Sequence, residues 1–385
     1  MTAAVPGVAG EPALPSVLIA IEQLRRAVPG GIGTYAYGLL NGLARFDASR
    51  LATGEEPTGI TLFASRVAPD PLARWGRPVR TSPLSSRVLT RAWDLGLARA
   101  PAGFDVVHAV SLAAPPLARR NGGALTVMVH DLAWRSHPET TTPRGRRWHE
   151  GALLRALRRA DAFVVPSAAV ASALVAAGAG ADTVHVIGHG SDHLPRPDLA
   201  AAEATLRGSG VDGPYLLAVS TLEPRKNFPR LLEAYRAARS ALPEPLPLVV
   251  AGPIGWGDAG LGETTGVVLV GHVDDAALSG LYAGATGFAY VPIIEGFGLP
   301  PVEAMMAGVP VVVSSSVPSV TECEGDPPAV VVDPGDTDAI AAALVAVVSD
   351  RQLADSLRAR GSAFAALRTW EAVATRHLAL WERLA

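Results

Sequence analysis

Short apolar runs rich in β-branched residues alternate along the chain with longer stretches rich in alanine, leucine and arginine. Examples are VLIAI at Val17–Ile21 and LTVMVHD at Leu125–Asp131, and, in the second half, YLLAVS at Tyr215–Ser220 and GFAYVP at Gly287–Pro292. Nearly continuous apolar strands are typical of a parallel sheet covered by helices on both faces. Their alternation with helices indicates βαβ units. An α/β fold with two Rossmann-like doubly wound domains is therefore predicted.

The length of 385 residues fits two domains, at about 150 residues each. The polar, proline-containing SDHLPRPD at Ser191–Asp198 is the best linker between the two series of strands. We predict a disordered N-terminal tail at 1–15, an N-terminal domain at 16–195 and a C-terminal domain at 196–385. The last helix, about 368–385, is a candidate to pack back on the N-terminal domain. Ligands of open α/β sheets bind beyond the carboxyl ends of the strands, and with two domains those ends would face one cleft.

Composition excludes several classes of protein. The formal net charge of −3 gives no overall reason to expect nucleic acid as a partner. Cys323 is the only cysteine, which excludes an internal disulfide and a cysteine-rich metal site. The N-terminal MTAAVPGVAGEPALP lacks the basic start and apolar core of a signal peptide, and no uninterrupted apolar run of about 18 residues predicts a membrane span. A cytoplasmic protein is therefore expected.

A glycine loop follows the apolar strand GFAYVP, in the stretch EGFGLPPVEAMMAG at Glu295–Gly308. Gly296 and Gly298 let the backbone approach a ligand, and the two prolines that follow suit the start of a helix. Free N–H groups at a helix N-terminus favour a phosphate. Glu303, placed in the first helical turn, could simply compensate the helix dipole, and the glycines could simply form a tight turn. Together the features indicate a ligand with phosphate and hydroxyl groups.

The only lysine of the chain, Lys226, lies in the stretch STLEPRKN at Ser220–Asn227, whereas the other 32 of the 33 basic residues are arginine. The stretch begins where a predicted strand ends, and Asn227 is expected to cap the following helix. Arg225 and Lys226 would then stand beside a helix N-terminus. A solvated surface pair is the plain alternative. A diphosphate site is favoured because of the motifs around it.

Several stretches, in the order in which they occur along the chain, resemble the retaining glycosyltransferases of family 4. Glu295 and Glu303 match the family's E-x7-E motif, and STLEPRKN resembles its phosphate-site stretch. GGIGTYAYGLL at Gly30–Leu40, TVMVHDLAW with His130, GHVDDAALSGLYAGA and the VDPGD near the C-terminus also fit, so the resemblance runs from about Val17 to the C-terminus. The family implies a GT-B fold with no metal or other cofactor. Its C-terminal domain binds a nucleotide-sugar donor, and its N-terminal domain binds the acceptor.

The resemblance also implies roles for individual residues. Glu295 would contact hydroxyls of the donor sugar, Glu303 would hold the ribose, and Arg225 and Lys226 would hold the leaving diphosphate. His130 would lie next to the reacting sugar, although a neutral core histidine is the usual explanation for a strand histidine. The four residues with an expected catalytic role are His130, Glu295, Arg225 and Lys226. The residues expected to bind the donor are Gly31, Gly33, Gly190, Thr221, His272, Val273, Gly296, Phe297, Gly298, Leu299 and Glu303.

Four of the residues expected to bind the donor depart from a known pattern or leave alternatives open. Gly31 and Gly33 lack a third glycine at the dinucleotide spacing, so they provide either backbone amides for the ligand or a turn into a helix. At Gly190 the preceding residue is His189, where related chains often have asparagine. Thr221 stands where some family members have arginine, which leaves Arg225 and Lys226 as the principal cations.

A helical stretch at Arg144–Ala160 contains six arginines and Trp148. It is either a solvated helix face or a surface for the acceptor or for an anionic membrane. Because acceptors in the family are often lipid-linked glycans, peripheral membrane contact is a hypothesis worth testing.

The sequence thus predicts a retaining hexosyltransferase that moves sugar from a nucleotide diphosphate to a glycan, a lipid-linked or a small-molecule hydroxyl. The motifs resemble mannosyltransferases of polysaccharide assembly, which favours GDP-mannose, while UDP-glucose and related donors stay open. The alternatives are a GT-B epimerase or phosphorylase and a non-catalytic protein that binds nucleotide sugars.

Overall fold

The computed structural model describes residues 14–26, 30–117, 123–255 and 264–385, so most of the predicted N-terminal tail lies outside the described residues. The N-terminal strands are β1 (Val17–Ala20), β2 (Ile60–Ser65), β3 (Val79–Ser82), β4 (Val106–Ala109), β5 (Ala124–Met128), β6 (Ala162–Val165) and β7 (Val184–Val186). They form one parallel sheet in the order β3-β2-β1-β4-β5-β6-β7.

A second parallel sheet follows in the C-terminal half. Its strands are β8 (Leu216–Val219), β9 (Leu248–Ala251), β10 (Val267–Gly271), β11 (Gly287–Tyr290), β12 (Val311–Ser314) and β13 (Val330–Val332). Their order is β10-β9-β8-β11-β12-β13. Two parallel sheets with helices between their strands confirm the predicted pair of Rossmann-like domains.

The helices connect the strands and cover both sheets. Those of the first half are α1 (Gly30–Ala52), α2 (Ser86–Asp94), α3 (Ala133–Ser136), α4 (Pro143–Leu157) and α5 (Ala168–Ala176). Those of the second half are α6 (Leu199–Gly208), α7 (Phe228–Ala241), α8 (Asp275–Gly284), α9 (Leu299–Met306), α10 (Pro318–Thr321), α11 (Thr337–Ser349), α12 (Arg351–Ala366) and α13 (Trp370–Leu384). Short 3₁₀ helices lie at Glu22–Arg25, Pro71–Trp75, Pro138–Thr140, Ala181–Thr183 and Pro224–Lys226. No helix among these is long and apolar enough to span a bilayer.

Many helices begin at a side chain that accepts a hydrogen bond from their first turn. Asp274 accepts from the amide of Ala277 at 2.8 Å, and Asp336 accepts from that of Ala339 at 2.9 Å. Such caps satisfy amides that have no partner inside the helix, and each contributes typically about 1 kcal/mol.

Helix α13 packs into the core of the N-terminal domain, where Trp370 and Trp381 are fully buried with residues of α1 and β1. Two glycines of α1 make room for it. A Cβ atom on Gly38 would lie 2.0 Å from the Trp370 ring, and one on Gly42 would lie 2.0 Å from the Trp370 carbonyl oxygen. The C-terminal end of the chain therefore joins the two domains a second time, beyond the linker.

Candidate functional site

Two adjacent strands of the C-terminal sheet end at the candidate site. Strand β8 leads into the 3₁₀ helix Pro224–Lys226, and β11 leads into the loop that begins at Glu295. The two strands are paired, so their carboxyl ends are neighbours. A backbone hydrogen bond of 3.0 Å from Ile293 to the carbonyl of Arg225 joins the two following segments. The fold thus brings STLEPRKN against EGFGLPP, although about 70 residues separate them in sequence.

One carboxylate oxygen is the centre of the cluster. Oε1 of Glu295 accepts hydrogen bonds from Arg225 Nη1 at 2.8 Å, from the Tyr290 hydroxyl at 2.9 Å and from Lys226 Nζ. Lys226 Nζ also donates to the Tyr290 oxygen at 2.7 Å, and Arg225 Nη2 donates to Glu223 at 3.0 Å. The side chains of Arg225, Lys226 and Glu295 are 19%, 11% and 10% exposed, so they still reach solvent on one side.

These contacts shift the pKa values of the three charged groups. Burial raises the pKa of Glu295, but the charges of Arg225 and Lys226 outweigh it and lower that pKa to about 2. Burial and the neighbouring Arg225 lower the pKa of Lys226. Burial also favours neutral Arg225, but Glu295, Asp131 and Glu223 together raise its pKa. The carboxylate is therefore ionised at neutral pH.

The expected role of Asn227 as a side-chain cap is wrong. Its backbone lies in the left-handed region at φ 60°, and its side chain makes no capping hydrogen bond to α7. Its amide Nδ2 instead donates to the carbonyls of Val291 at 3.0 Å and Pro334 at 2.9 Å. Asparagine tolerates this backbone conformation better than most residues. The side chain therefore fixes the position of Arg225 and Lys226 relative to β11.

The glycine loop lies directly against the N-terminal domain. A Cβ atom on Gly296 would lie 1.8 Å from the carbonyl oxygen of His130, so only glycine permits this approach. The Ser167 hydroxyl donates to the Gly296 carbonyl at 2.7 Å. Gly298, at φ 90°, precedes the first residue of α9, Leu299. The loop thus brings a helix N-terminus to the cleft in the way that phosphate sites require.

The expected place of Glu303 in the first turn is wrong. Because α9 begins at Leu299, Glu303 lies in the second turn, where it cannot act mainly on the helix dipole. Its carboxylate accepts from the Tyr282 hydroxyl at 2.7 Å and lies 3.3 Å from His193 Nε2. Glu303 is 7% exposed. This carboxylate is therefore held in a fixed orientation between Tyr282 of α8 and His193.

His130 has a defined tautomer. Its Nε2 lies 2.9 Å from the carbonyl oxygen of Val110, which can only accept, so Nε2 carries the hydrogen. Burial lowers the pKa of His130 and favours the neutral ring, whose Nδ1 is then an acceptor. Asp131 does not orient the ring: its Oδ1 accepts from the amide of Ala133 at 3.0 Å, at the start of α3.

A buried group of aromatic residues packs against the ring of His130. Tyr35 contacts four imidazoles at ring-centroid distances of 5.1–6.3 Å, those of His108, His130, His189 and His377. The Tyr35 hydroxyl bonds to His108 Nε2 at 2.9 Å and to His377 Nε2 at 2.8 Å. Because His377 Nδ1 must donate to the Val373 carbonyl at 2.8 Å, its Nε2 accepts from Tyr35. The network therefore joins α13, α1 and the sheet around His130.

The other predicted site residues lie in several places. Gly31 and Gly33 belong to the first turn of α1, and Gly190 packs on the backbone of Trp370. Phe297 is buried against His189, with ring centroids 4.8 Å apart. The remaining three follow the ends of strands at the same edge of the sheet: Thr221, His272 and Val273. Their ligand contacts stay predictions.

Three further residues of the site were not selected from the sequence. Tyr290 bonds to Glu295, and Glu223 bonds to Arg225 in the same group of charged side chains. Glu223 lies in the stretch STLEPRKN, two residues before Arg225. Glu322 spans the cleft, where its carboxylate accepts from the amides of Ala168 and Ala169, both at 2.7 Å. No local sequence pattern indicates that contact. Within the described ranges, no group of three or more His, Cys, Asp or Glu side chains is arranged to hold a metal ion.

Comparisons with known proteins agree with this arrangement. Residues 29–193 match the domain model described as Glycosyltransferase Family 4, and residues 207–364 match the model described as Glycosyl transferases group 1. Over 201 residues the chain is 36% identical to the O-antigen chain mannosyltransferase B of Escherichia coli, covering 50% of this chain and 52% of that protein. The chain thus spans about half the length of this curated relative.

Solved structures share the fold over nearly the whole chain. Sucrose-phosphate synthase from Thermosynechococcus elongatus has a TM-score of 0.71 at 22% identity and covers 96% of this chain and 98% of its own. HepE from Anabaena, in complex with UDP and glucose, has a TM-score of 0.68 at 18% identity and covers 96% and 99%. At these identities the likeness establishes the fold alone.

Proposed function

Because the chain belongs to the glycosyltransferases that combine a Family 4 domain with a group 1 domain in a GT-B fold, we propose that it is a retaining hexosyltransferase. It takes the sugar from a nucleotide diphosphate donor. The observation that carries the proposal is the cluster of Arg225, Lys226 and Glu295, placed at a strand end beside the glycine loop, whose Gly296 lies against the backbone of His130.

The two cations suit the leaving diphosphate. In the described structure both cations are paired to a single oxygen of Glu295, and Arg225 is also paired to Glu223, so their positions are fixed before a ligand binds. Cations fixed in this way stabilise the charge that develops on a diphosphate as the bond to the sugar breaks. The amides of Gly298 and Leu299 at the start of α9 add a favourable dipole.

Carboxylates hold the hydroxyl groups of the donor. Glu295 has a second oxygen, Oε2, that is not part of the three bonds at Oε1, and it can accept from a sugar hydroxyl. Glu303, fixed by Tyr282, is suited to the ribose hydroxyls. His130, with Nδ1 as an acceptor, can accept from a hydroxyl of the transferred sugar.

The sugar keeps its anomeric configuration through attack on the same face. The bond from C1 to the diphosphate oxygen breaks while the bond from C1 to the acceptor oxygen forms. The proton of the acceptor hydroxyl moves to the departing phosphate oxygen. Glu295 is a poor nucleophile for a double displacement, because Arg225 and Lys226 stabilise its charge and lower its pKa to about 2.

GDP-mannose is the favoured donor. The support is the 36% identity with a mannosyltransferase of O-antigen assembly, together with the E-x7-E and STLEPRKN motifs. UDP-glucose is the second candidate, because HepE of the same fold was solved with UDP and glucose. A thermal-shift panel of GDP- and UDP-sugars tests both. The proposal requires stabilisation by at least one nucleotide diphosphate and is abandoned if none stabilises the protein.

The acceptor side includes a basic surface suited to an anionic membrane. Within Arg144–Ala160, Trp148 donates to Asp94 at 3.0 Å and Arg155 pairs with the same carboxylate, which fixes α4 against α2. Leu154 is exposed on α4 itself, and Leu95 and Leu97 are exposed directly after α2. Arginines combined with exposed apolar side chains favour peripheral binding to anionic lipid, which would hold the protein at the membrane of a lipid-linked acceptor. Co-sedimentation with anionic vesicles at low salt tests this, and no binding there rejects it.

A further inference from the structure

The linker between the two domains meets the start of α13 at His193. The backbone amide of Trp370, the first residue of α13, donates to Asp192 Oδ1 at 2.7 Å. Asp192 is also paired with Arg45 of α1, and Trp370 is fully buried in the core of the N-terminal domain. The part of the linker that leads to His193 is therefore fixed to the N-terminal domain.

The ring of His193 has a defined tautomer. Its Nδ1 lies 3.3 Å from Trp370 Nε1, which can only donate, so Nδ1 accepts and the neutral ring carries its hydrogen on Nε2. Nε2 lies 3.3 Å from Oε1 of Glu303, and both side chains are largely buried. An N–H group of the linker therefore faces the carboxylate of Glu303.

The other oxygen of Glu303 is held by Tyr282. The Tyr282 hydroxyl donates to Oε2 at 2.7 Å, and burial raises the pKa of Tyr282, so the hydroxyl keeps its proton. A carboxylate has about four acceptor positions, so each oxygen keeps capacity for a ligand hydroxyl. With Tyr282 alone the carboxylate could turn about its bond to Cγ. The second contact, from His193, fixes the plane of the group.

We propose that His193 is a positioning residue for ribose recognition. It holds the carboxylate of Glu303 in the plane in which the group accepts from both ribose hydroxyls of the donor. The inference rests on the proposed glycosyltransferase function and deepens the ribose role of Glu303. Because His193 is fixed to Trp370, a residue held by the N-terminal domain sets the specificity of the nucleotide site in the C-terminal domain.

The experiment compares, by calorimetry, the binding of GDP or UDP with that of its 2′,3′-dideoxy analogue, using whichever nucleotide binds. The ratio of the two Kd values reports recognition of the ribose hydroxyls. In the test variant, His193→Asn, the carboxamide oxygen takes the place of Nδ1 and still accepts from Trp370, but the side chain no longer reaches Glu303. In the rescue variant, His193→Gln, the amide NH₂ takes the place of Nε2. The control, His185→Asn, removes a histidine of β7 outside these contacts.

The wild-type protein should bind the ribonucleotide about tenfold or more tightly than the dideoxy analogue, because hydrogen bonds to a charged group are lost with the hydroxyls. In His193→Asn this ratio should fall about threefold or more, through weaker binding of the ribonucleotide alone. His193→Gln should recover most of the ratio, and His185→Asn should keep the wild-type value. In a Glu303→Gln background, His193→Asn should cause no further change.

An unchanged ratio in a folded His193→Asn variant would overturn the inference. Equal weakening of both nucleotides would also overturn it, because a merely structural role affects both alike. Melting temperatures show whether each variant is folded. If His193→Asn does not fold, His193→Phe, which keeps a ring of similar size without the Nε2 hydrogen, is measured in its place.

The same titrations separate this inference from the proposed function. A wild-type protein that binds neither GDP nor UDP would reject the proposed function and the inference together. A wild-type protein that binds the ribonucleotide and its dideoxy analogue equally would leave the nucleotide site in place and reject the ribose role of Glu303, and with it that of His193.

Discussion

Replacing Lys226 by methionine removes one positive charge from the candidate diphosphate site and leaves a side chain of similar length. In the structure, Lys226 Nζ donates to the Tyr290 hydroxyl at 2.7 Å and to Glu295, and its side chain is only 11% exposed. Both bonds would be lost. Glu295 would keep its bonds from Arg225 and Tyr290, so its buried charge would not be left without a partner.

The expected magnitudes follow from these contacts. A hydrogen bond to a charged group contributes about 1.5–3 kcal/mol. Two such bonds are lost, but the cost of burying the Lys226 charge is removed with them, so the free energy of unfolding should fall by about 1.5–3 kcal/mol. Turnover should fall by about 10²–10³-fold, the usual effect of removing one group that stabilises charge in the transition state. The loss should be mainly in kcat, since charge on the diphosphate increases as the bond to the sugar breaks.

Urea unfolding and steady-state donor hydrolysis measure the two effects. Arg207→Met is the matched control, because it removes one basic charge from an exposed ion pair of the same domain. Lys226→Arg restores the positive charge, but its guanidinium group is larger than the lysine ammonium. Because Arg225 lies next to this position, we expect the variant to recover only part of the activity. Near-normal turnover in a folded Lys226→Met variant would refute the assignment of Lys226 to the leaving diphosphate.

Three further predictions concern the parts of the fold that hold the site. Burial lowers the pKa of His377 to about 4. Between pH 6.5 and 4 the unfolded chain therefore binds a proton that the folded chain excludes, and urea unfolding should show a loss of about 3 kcal/mol from this group alone. Gly42→Ala should lower the free energy of unfolding by at least about 1–3 kcal/mol, because the Trp370 carbonyl occupies the space for its Cβ. Glu322→Gln should weaken the contact across the cleft and raise KM for the donor several-fold, with little change in melting temperature.

Each of these has a contrary outcome. Constant stability from pH 6.5 to 4 would show that His377 is not held neutral by burial. If Gly42→Ala unfolds at the same urea concentration as the exposed-site control Gly31→Ala, then α13 does not pack closely against Gly42 of α1. For Glu322→Gln, an unaltered KM would exclude a role for this carboxylate in closing the cleft.

The positions of the strands in the sequence were predictable because nearly all of them are apolar runs long enough to stand out from their surroundings. Strand β3 is the exception and was not predicted. It lies at the edge of its sheet, and its residues Arg80, Thr81 and Ser82 are partly or fully exposed, so it lacks the continuous apolar pattern. Polar edge strands are common, and only their pairing identifies them.

The candidate site was predictable where its residues occur in contiguous motifs. Arg225, Lys226 and Glu295 were selected from such stretches, and the structure places them in direct contact. Asn227 was misassigned because its side chain bonds to Val291 and to Pro334, 107 residues away, rather than to its own helix. Helix-capping propensity is a local rule and cannot anticipate that competition.

The network behind His130 could not be predicted from local patterns. Tyr35 and His377 share a hydrogen bond across 342 residues, and each looks like an ordinary member of an amphipathic helix. Their contact depends on α13 returning to the N-terminal domain, which in turn depends on Gly38 and Gly42. Such contacts follow from the complete fold.

The most direct test of glycosyltransferase activity measures the release of nucleoside diphosphate from GDP-mannose and UDP-glucose by the wild-type protein, without acceptor. We expect slow release of GDP or UDP together with an equal amount of free sugar, and loss of this release in Lys226→Met. A wild-type protein that binds the donor but releases neither product above the enzyme-free blank would instead be a binding protein and not an enzyme.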